Sequence, residues 1–243
     1  MLHLIILAAV ATFFLAFRHP LSLSSFQKLL TQVINISKST NIAVRTNSVN
    51  LFKALLRLHD PQDPHRFHKV AVSELLNLPK AGKTAGPDHR IALYSMLSIL
   101  PPAEDVSTTL VQTTSSLLSK EASDGAIAVL ASALPPHIIF LLRHASVPSE
   151  TVQVLAKEMA NIKPAVRKAF VRLAGSIFLG EQSVLDTESG AALAKTLLPC
   201  FESCLKTVSS NPVNTGPLEG YISTTVLLGA FAKSKELGSS MQG

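Results

Sequence analysis

KPAVRKAFVRLAGSIFL, Lys163 to Leu179, is the stretch from which the fold class is read. Pro164 suits a first helical turn, where its missing N–H would be unpaired anyway. Val166, Phe170, Leu173 and Ile177 follow at i, i+4, i+7 and i+11 and form one narrow apolar stripe. At about 100° per residue, Lys168 and Arg172 fall on the opposite face, with Lys163 and Arg167 on its flank. One side of this helix is built for burial and the other is cationic. Nothing in it can do chemistry, so it reads as part of a surface.

The same pattern occurs earlier. NIAVRTNSVNLFKALL, Asn41 to Leu56, carries Val44-Arg45 where the later helix carries Val166-Arg167, and its Val49, Leu51 and Leu55 align with Val171, Leu173 and Ile177. PDHRIALYSMLSIL from Pro87 puts Arg90 at that place, and the weaker copy SDGAIAVLASAL from Ser123 puts Ala126 there. The steps between these positions are 45, 36 and 41 residues. A period near 40 with two helices per unit is the range of HEAT and armadillo solenoids. In such arrays each helical pair leaves an apolar face that only a stacked neighbour covers. The expected fold is therefore all-α: a HEAT-type α-solenoid of stacked antiparallel helical hairpins.

Composition agrees with closely packed helices. Apolar residues make up 47% of the 243, aromatics only 5%, and there is no Trp. The 22 Lys and Arg against 16 Asp and Glu give a net charge of +6. That excess suits an anionic partner such as ribosomal RNA but falls short of a dedicated nucleic-acid domain. The two cysteines, Cys200 and Cys204, stand four apart on an expected helix, a geometry poorly suited to a disulfide. They read as free thiols, which favours a reducing compartment.

Met1 to Phe17, MLHLIILAAVATFFLAF, is almost continuously apolar and pulls the other way. Its 17 residues sit at the lower limit for a membrane span. No small-x-small cleavage site follows, and the positive region of a signal peptide is nearly missing. Three readings stay open: a signal-anchor, the exposed edge of a solenoid, or a segment foreign to the fold. The domain expectation is an apolar segment over 1–23, a HEAT array over 24–236 and a flexible tail over 237–243. Helices are expected near 25–36, 41–58, 66–78, 88–100, 103–119, 121–134, 136–145, 149–161, 164–179, 188–208 and 217–234. Prolines mark many of the corners, among them Pro61, Pro79, Pro101-Pro102 and Pro135-Pro136. No alternating strand pattern of useful length is present.

Catalysis finds no support. Gly82-Lys83-Thr84 looks like the end of a phosphate loop, but the required earlier glycine position is Asn77 and no strand precedes it. His59, Asp60, Asp63, His65 and His68 crowd one corner, yet a Pro- and Asp-rich interhelical turn explains them without a metal. No G-x-S-x-G elbow occurs. No cofactor, metal or small-molecule substrate is expected. Arg45, Arg90 and Arg167 recur at equivalent places and would form a row in stacked repeats. They read first as structural, each pairing with an acidic side chain or helix end of a neighbouring hairpin. Lys163, Lys168 and Arg172, with Arg143 and Lys157 nearby in sequence, are the better contact candidates.

Three stretches carry a resemblance: SKSTNIAVRTNSVNLFKALL (Ser37 to Leu56), KTAGPDHRIALYSMLSILPP (Lys83 to Pro102) and KPAVRKAFVRLAGSIF (Lys163 to Phe178). They resemble the amino-terminal part of a fungal translational activator, the large HEAT-repeat partner of the kinase that phosphorylates initiation factor 2 alpha. The resemblance implies a non-enzymatic, ribosome-associated, cytoplasmic scaffold that serves translation regulation in amino-acid starvation. It implies as partners the ribosome, through RNA or protein surface, and translation-control proteins. The family's kinase-binding segment has no counterpart here, so a fragment or truncated product is expected. Two alternatives accompany this reading: a membrane-anchored helical protein inserted through 1–17, and an unrelated HEAT-repeat transport or assembly adaptor.

Overall fold

The computed structural model describes residues 21–58, 63, 65–118, 120–145, 147, 149–159, 164–179, 184–185 and 187–210, together with Ile5, Ala9 and Thr12. Ten helices can be followed among the described residues: α1 (Leu23–Ile36), α2 (Ile42–Leu55), α3 (Arg66–Lys80), α4 (Pro87–Leu97), α5 (Glu104–Leu118), α6 (Asp124–Ala133), α7 (Pro135–His144), α8 (Ser149–Met159), α9 (Pro164–Leu179) and α10 (Glu188–Ser210). Among the described residues there is no strand, and the class is all-α. The apolar run Met1 to Phe17 lies outside the described residues apart from those three, and so does the helix expected near 217–234.

Local chemistry explains where the helices begin and end. Ser22, Asn41 and Ser123 cap α1, α2 and α6 with side-chain oxygens that accept first-turn N–H groups. Helix α3 runs two residues past the expected end, through Pro79. A proline in the last turn loses one hydrogen bond without stopping the chain's curl. The stop comes at Gly82, whose φ of 66° is a left-handed conformation that a side chain would resist. The N–H groups of Gly82 and Lys83 then donate to the Pro79 and Leu78 carbonyls at 3.1 and 2.9 Å. That glycine-lysine pair therefore closes a helix, and both its amides are already spent.

The chain forms two compact units, 1–110 and 111–243, and the division falls within α5. In the first, α1 packs on α2 and α3 on α4, while α1 also meets α3 and α2 meets α4. Two hairpins thus lie side by side, first helix against first and second against second. Phe26 of α1 stacks on Phe67 of α3 with ring centroids 4.3 Å apart, and Leu30, Phe52, Leu75, Leu93 and Tyr94 of the same unit are buried too.

In the second unit α9 is the hub. It packs on α6, α7 and α8, and α10 packs on α8. The expected stripe is inside: Val166, Phe170, Leu173 and Ile177 are all buried. Complete burial of each such side chain contributes about 1.5–3 kcal/mol. Residues Asp124–His144 contain an 18-residue window with a mean hydropathy of 2.0 and have enough length to cross a membrane. Yet Pro135 divides them into α6 and α7, and 67% of the apolar window is buried inside the protein. Their apolarity is accounted for by core packing. The recurring helices are α2, α4, α6 and α9, and within each unit the two copies touch, α2 on α4 and α6 on α9. Arg45, Arg90 and Arg167 are each the fourth residue of their helix, whereas Ala126 is the third of α6.

Candidate functional site

Two of the three candidate contact residues lie on α9. Lys168 is half-buried and Arg172 exposed, one turn apart, while Lys163 lies outside the described residues. They are turned away from the core stripe, as the helical spacing requires. They do not, however, stand on an open convex face. Together with Ala165, Ala169 and Ser176 they form one wall of a groove of about 580 Å³ whose other wall is α6 and the start of α7.

Small side chains make that groove. Gly125, Ala128 and Ser132 recur at i, i+3 and i+7 along α6, and Ala131 and Pro135 complete the wall. Such side chains leave room that leucines would have filled. Asp124, the first residue of α6, also lines the groove. A carboxylate in a first helical turn is favoured by the unpaired N–H groups there. The groove thus holds two cations and one anion over an Ala- and Gly-lined floor. Ser176 Oγ donates to the Arg172 carbonyl at 3.0 Å, so that hydroxyl serves the helix. This arrangement can bind by charge and shape. Sequence reading found the cations and overlooked the groove and Asp124. The small-residue spacing on α6 was the available signal. Arg143 and Lys157 are exposed in the last turns of α7 and α8.

The recurring arginines of the first unit have structural work. Arg45 donates to the Ser39 and Thr40 carbonyls at 2.9 and 2.8 Å, and its other terminal nitrogen lies 2.9 Å from Asp88 of α4. It ties the α1–α2 turn to the next recurring helix. Arg90 reaches six residues back in the same way, to Thr84 Oγ1 at 3.5 Å. The structural reading of Arg45 holds, and in the neighbouring hairpin its acidic partner is Asp88.

At the histidine corner the rings of His65 and His68 lie 5.8 Å apart. Burial, aided by the nearby His65, holds the His68 pKa below its ordinary value, against opposing pulls from the Leu56 backbone and Asp63. Among the described residues no group of three or more His, Cys, Asp or Glu side chains is placed to hold a metal ion. His59 and Asp60 lie outside the described residues. Cys200 and Cys204 stand one turn apart on α10.

Residues 87–242 match the family described as Generalcontrol nonderepressible 1 (Gcn1) N-terminal, over well more than half of the chain. The matched range contains α4 to α10, and with them the groove and both described cations. No curated protein and no solved structure matches the chain.

Proposed function

The chain belongs to the Gcn1 N-terminal family, and on that premise we propose that it acts without catalysis, as a HEAT-type scaffold in translation control. The observation that carries this reading is the contact between recurring helices, α2 with α4 and α6 with α9. Side-by-side packing of equivalent helices supports an array of hairpins over 24–236, in which each pair covers the apolar face of the next. Arrays of this kind present long surfaces and bind through them. The partner we infer is the ribosome in the cytoplasm, met through the cationic side of α9.

Lys168 and Arg172 on the groove edge, with Lys163 just before the helix, would meet phosphate oxygens or acidic protein surface. Phosphate contacts release counterions and carry no base specificity, so binding to ribosomal RNA would be weak and salt-sensitive. The test is co-sedimentation of the chain with polysomes across a salt series, wild type against the triple change Lys163→Gln, Lys168→Gln and Arg172→Gln. Each lost phosphate contact lowers the log–log salt slope by about 1, so the triple variant should lose about 3. Its folding stability should stay within about 0.5 kcal/mol. Equal co-sedimentation of both proteins at low salt would overturn this assignment of the face.

A further inference from the structure

The slot just before the recurring arginine is Val44 in α2 and Val166 in α9, but in α4 it is His89. His89 is the third residue of α4 and only 2% exposed. Helix α4 starts after Gly86, which has a φ of 132° and no side chain with which to cap. The imidazole instead ties down the turn that leads into the helix. Its Nδ1 accepts the N–H of Ala85, one residue before the cap position, at 3.0 Å. The ring proton then belongs to Nε2, which stands near the Ile34 carbonyl but outside ordinary hydrogen-bond geometry. So a buried polar group stands where α2 and α9 carry valine and α6 carries glycine, and it holds the Ala85 N–H only while neutral.

A second proton has nowhere to go. On Nδ1 it would face the Ala85 N–H, donor against donor. The ring also sits at the positive end of α4. Burial, and the Lys38 ammonium just past α1, hold its pKa below the ordinary histidine value, although the Ile34 carbonyl pulls the other way. Of the charged groups, Lys38 after α1 acts on the ring, Asp88 and Arg90 flank it in α4, and Arg45 of α2 meets Asp88. Asp88 is the one carboxylate in that set, and it is 2.9 Å from Arg45.

We propose that His89 is an acid-sensitive latch: protonation breaks its bond to Ala85 and loosens the α3–α4 turn where it meets the end of α1. The unfolded chain takes up this proton near pH 6.5, and the folded ring resists it. Stability from the latch is thus full above about pH 6.5 and falls as the pH drops towards the folded pKa. Hydrogen exchange on the full chain at pH 7.5 and 5.5, corrected for intrinsic rates, tests this with wild type, His89→Gln and His89→Val. In wild type the amides from Ala85 to Ile91 should lose protection on acidification, by at most about tenfold, the limit set by the single pH unit between about 6.5 and 5.5. His89→Gln keeps an acceptor at every pH and His89→Val places there the residue of α2 and α9, so both should hold their protection unchanged. Equal wild-type protection at the two pH values would overturn the latch, as would an acid loss that persists in both variants.

Discussion

The corner where α2 meets α4 and the groove between α6 and α9 are built from the same recurring helix, yet they use it in opposite ways. At the corner, Arg45 is engaged by two carbonyls and Asp88, His89 is buried, and the neighbouring helices bring Phe26 against Phe67. At the groove, α6 contributes Gly125, Ala128 and Ser132, and the cations of α9 line the gap that results. A repeat sets which helices touch. Whether they close tightly or leave a gap depends on the side chains at each copy. The first contact is therefore read as a joint and the second as a surface.

The widest gap between the two regions should appear in aromatic truncation. Phe26→Ala and Phe170→Ala each empty a fully buried site, which costs about 3–5 kcal/mol. Phe26 also loses its stacked partner, which adds about 0.5–1.5 kcal/mol. Urea unfolding should therefore rank Phe26→Ala as the costlier. Equal losses would remove the aromatic stack from the comparison.

Arg45→Ala tests the joint more gently. The Arg45 side chain is 14% exposed but its partner Asp88 is 66% exposed, so the ion pair itself counts for little. Most of the loss comes from the two carbonyls left without their donor. We expect about 1–2 kcal/mol by denaturant titration. A loss under about 0.5 kcal/mol, the level expected of a surface change, would make Arg45 no more structural than the groove cations.

The smallest effect separates the caps. Asn41 Oδ1 accepts from Ala43 and Val44 at 2.9 and 3.4 Å, whereas Ser123 Oγ accepts only from Ala126, at 3.4 Å. Asn41→Ala should cost about 1 kcal/mol and Ser123→Ala about half of that. Thermal unfolding that shifts further for Ser123→Ala would reverse the ranking and mark α6 as the more tightly held start.

Helix placement was legible because it depends on signals close in sequence. Pro164, the stripe from Val166 to Ile177 and the cap at Ser123 each act within a turn or two, and α9 occupies the expected range to the residue. Pro79 misled by two residues, because the same proline that ends a helix in mid-course is tolerated in a last turn. The cationic candidates Lys168 and Arg172 were legible as a face, since helical period alone sets them opposite Phe170.

By itself, then, the sequence determined the class, the helices, the recurring arginine and the inward stripe, all of them consequences of spacing along one chain. Only the tertiary structure decided what each recurring position meets. Arg45 and Asp88 are separated by a whole helix in sequence, and their pairing follows from α2 lying on α4. His89 reads as a polar residue near a helix start until its burial and its bond to Ala85 are seen. Asp124 and Arg172 line one groove because α6 packs on α9 across two intervening helices. Periodicity fixes the side of a helix a residue occupies; contacts between distant segments depend on how the packed chain fills space, and that information is not local.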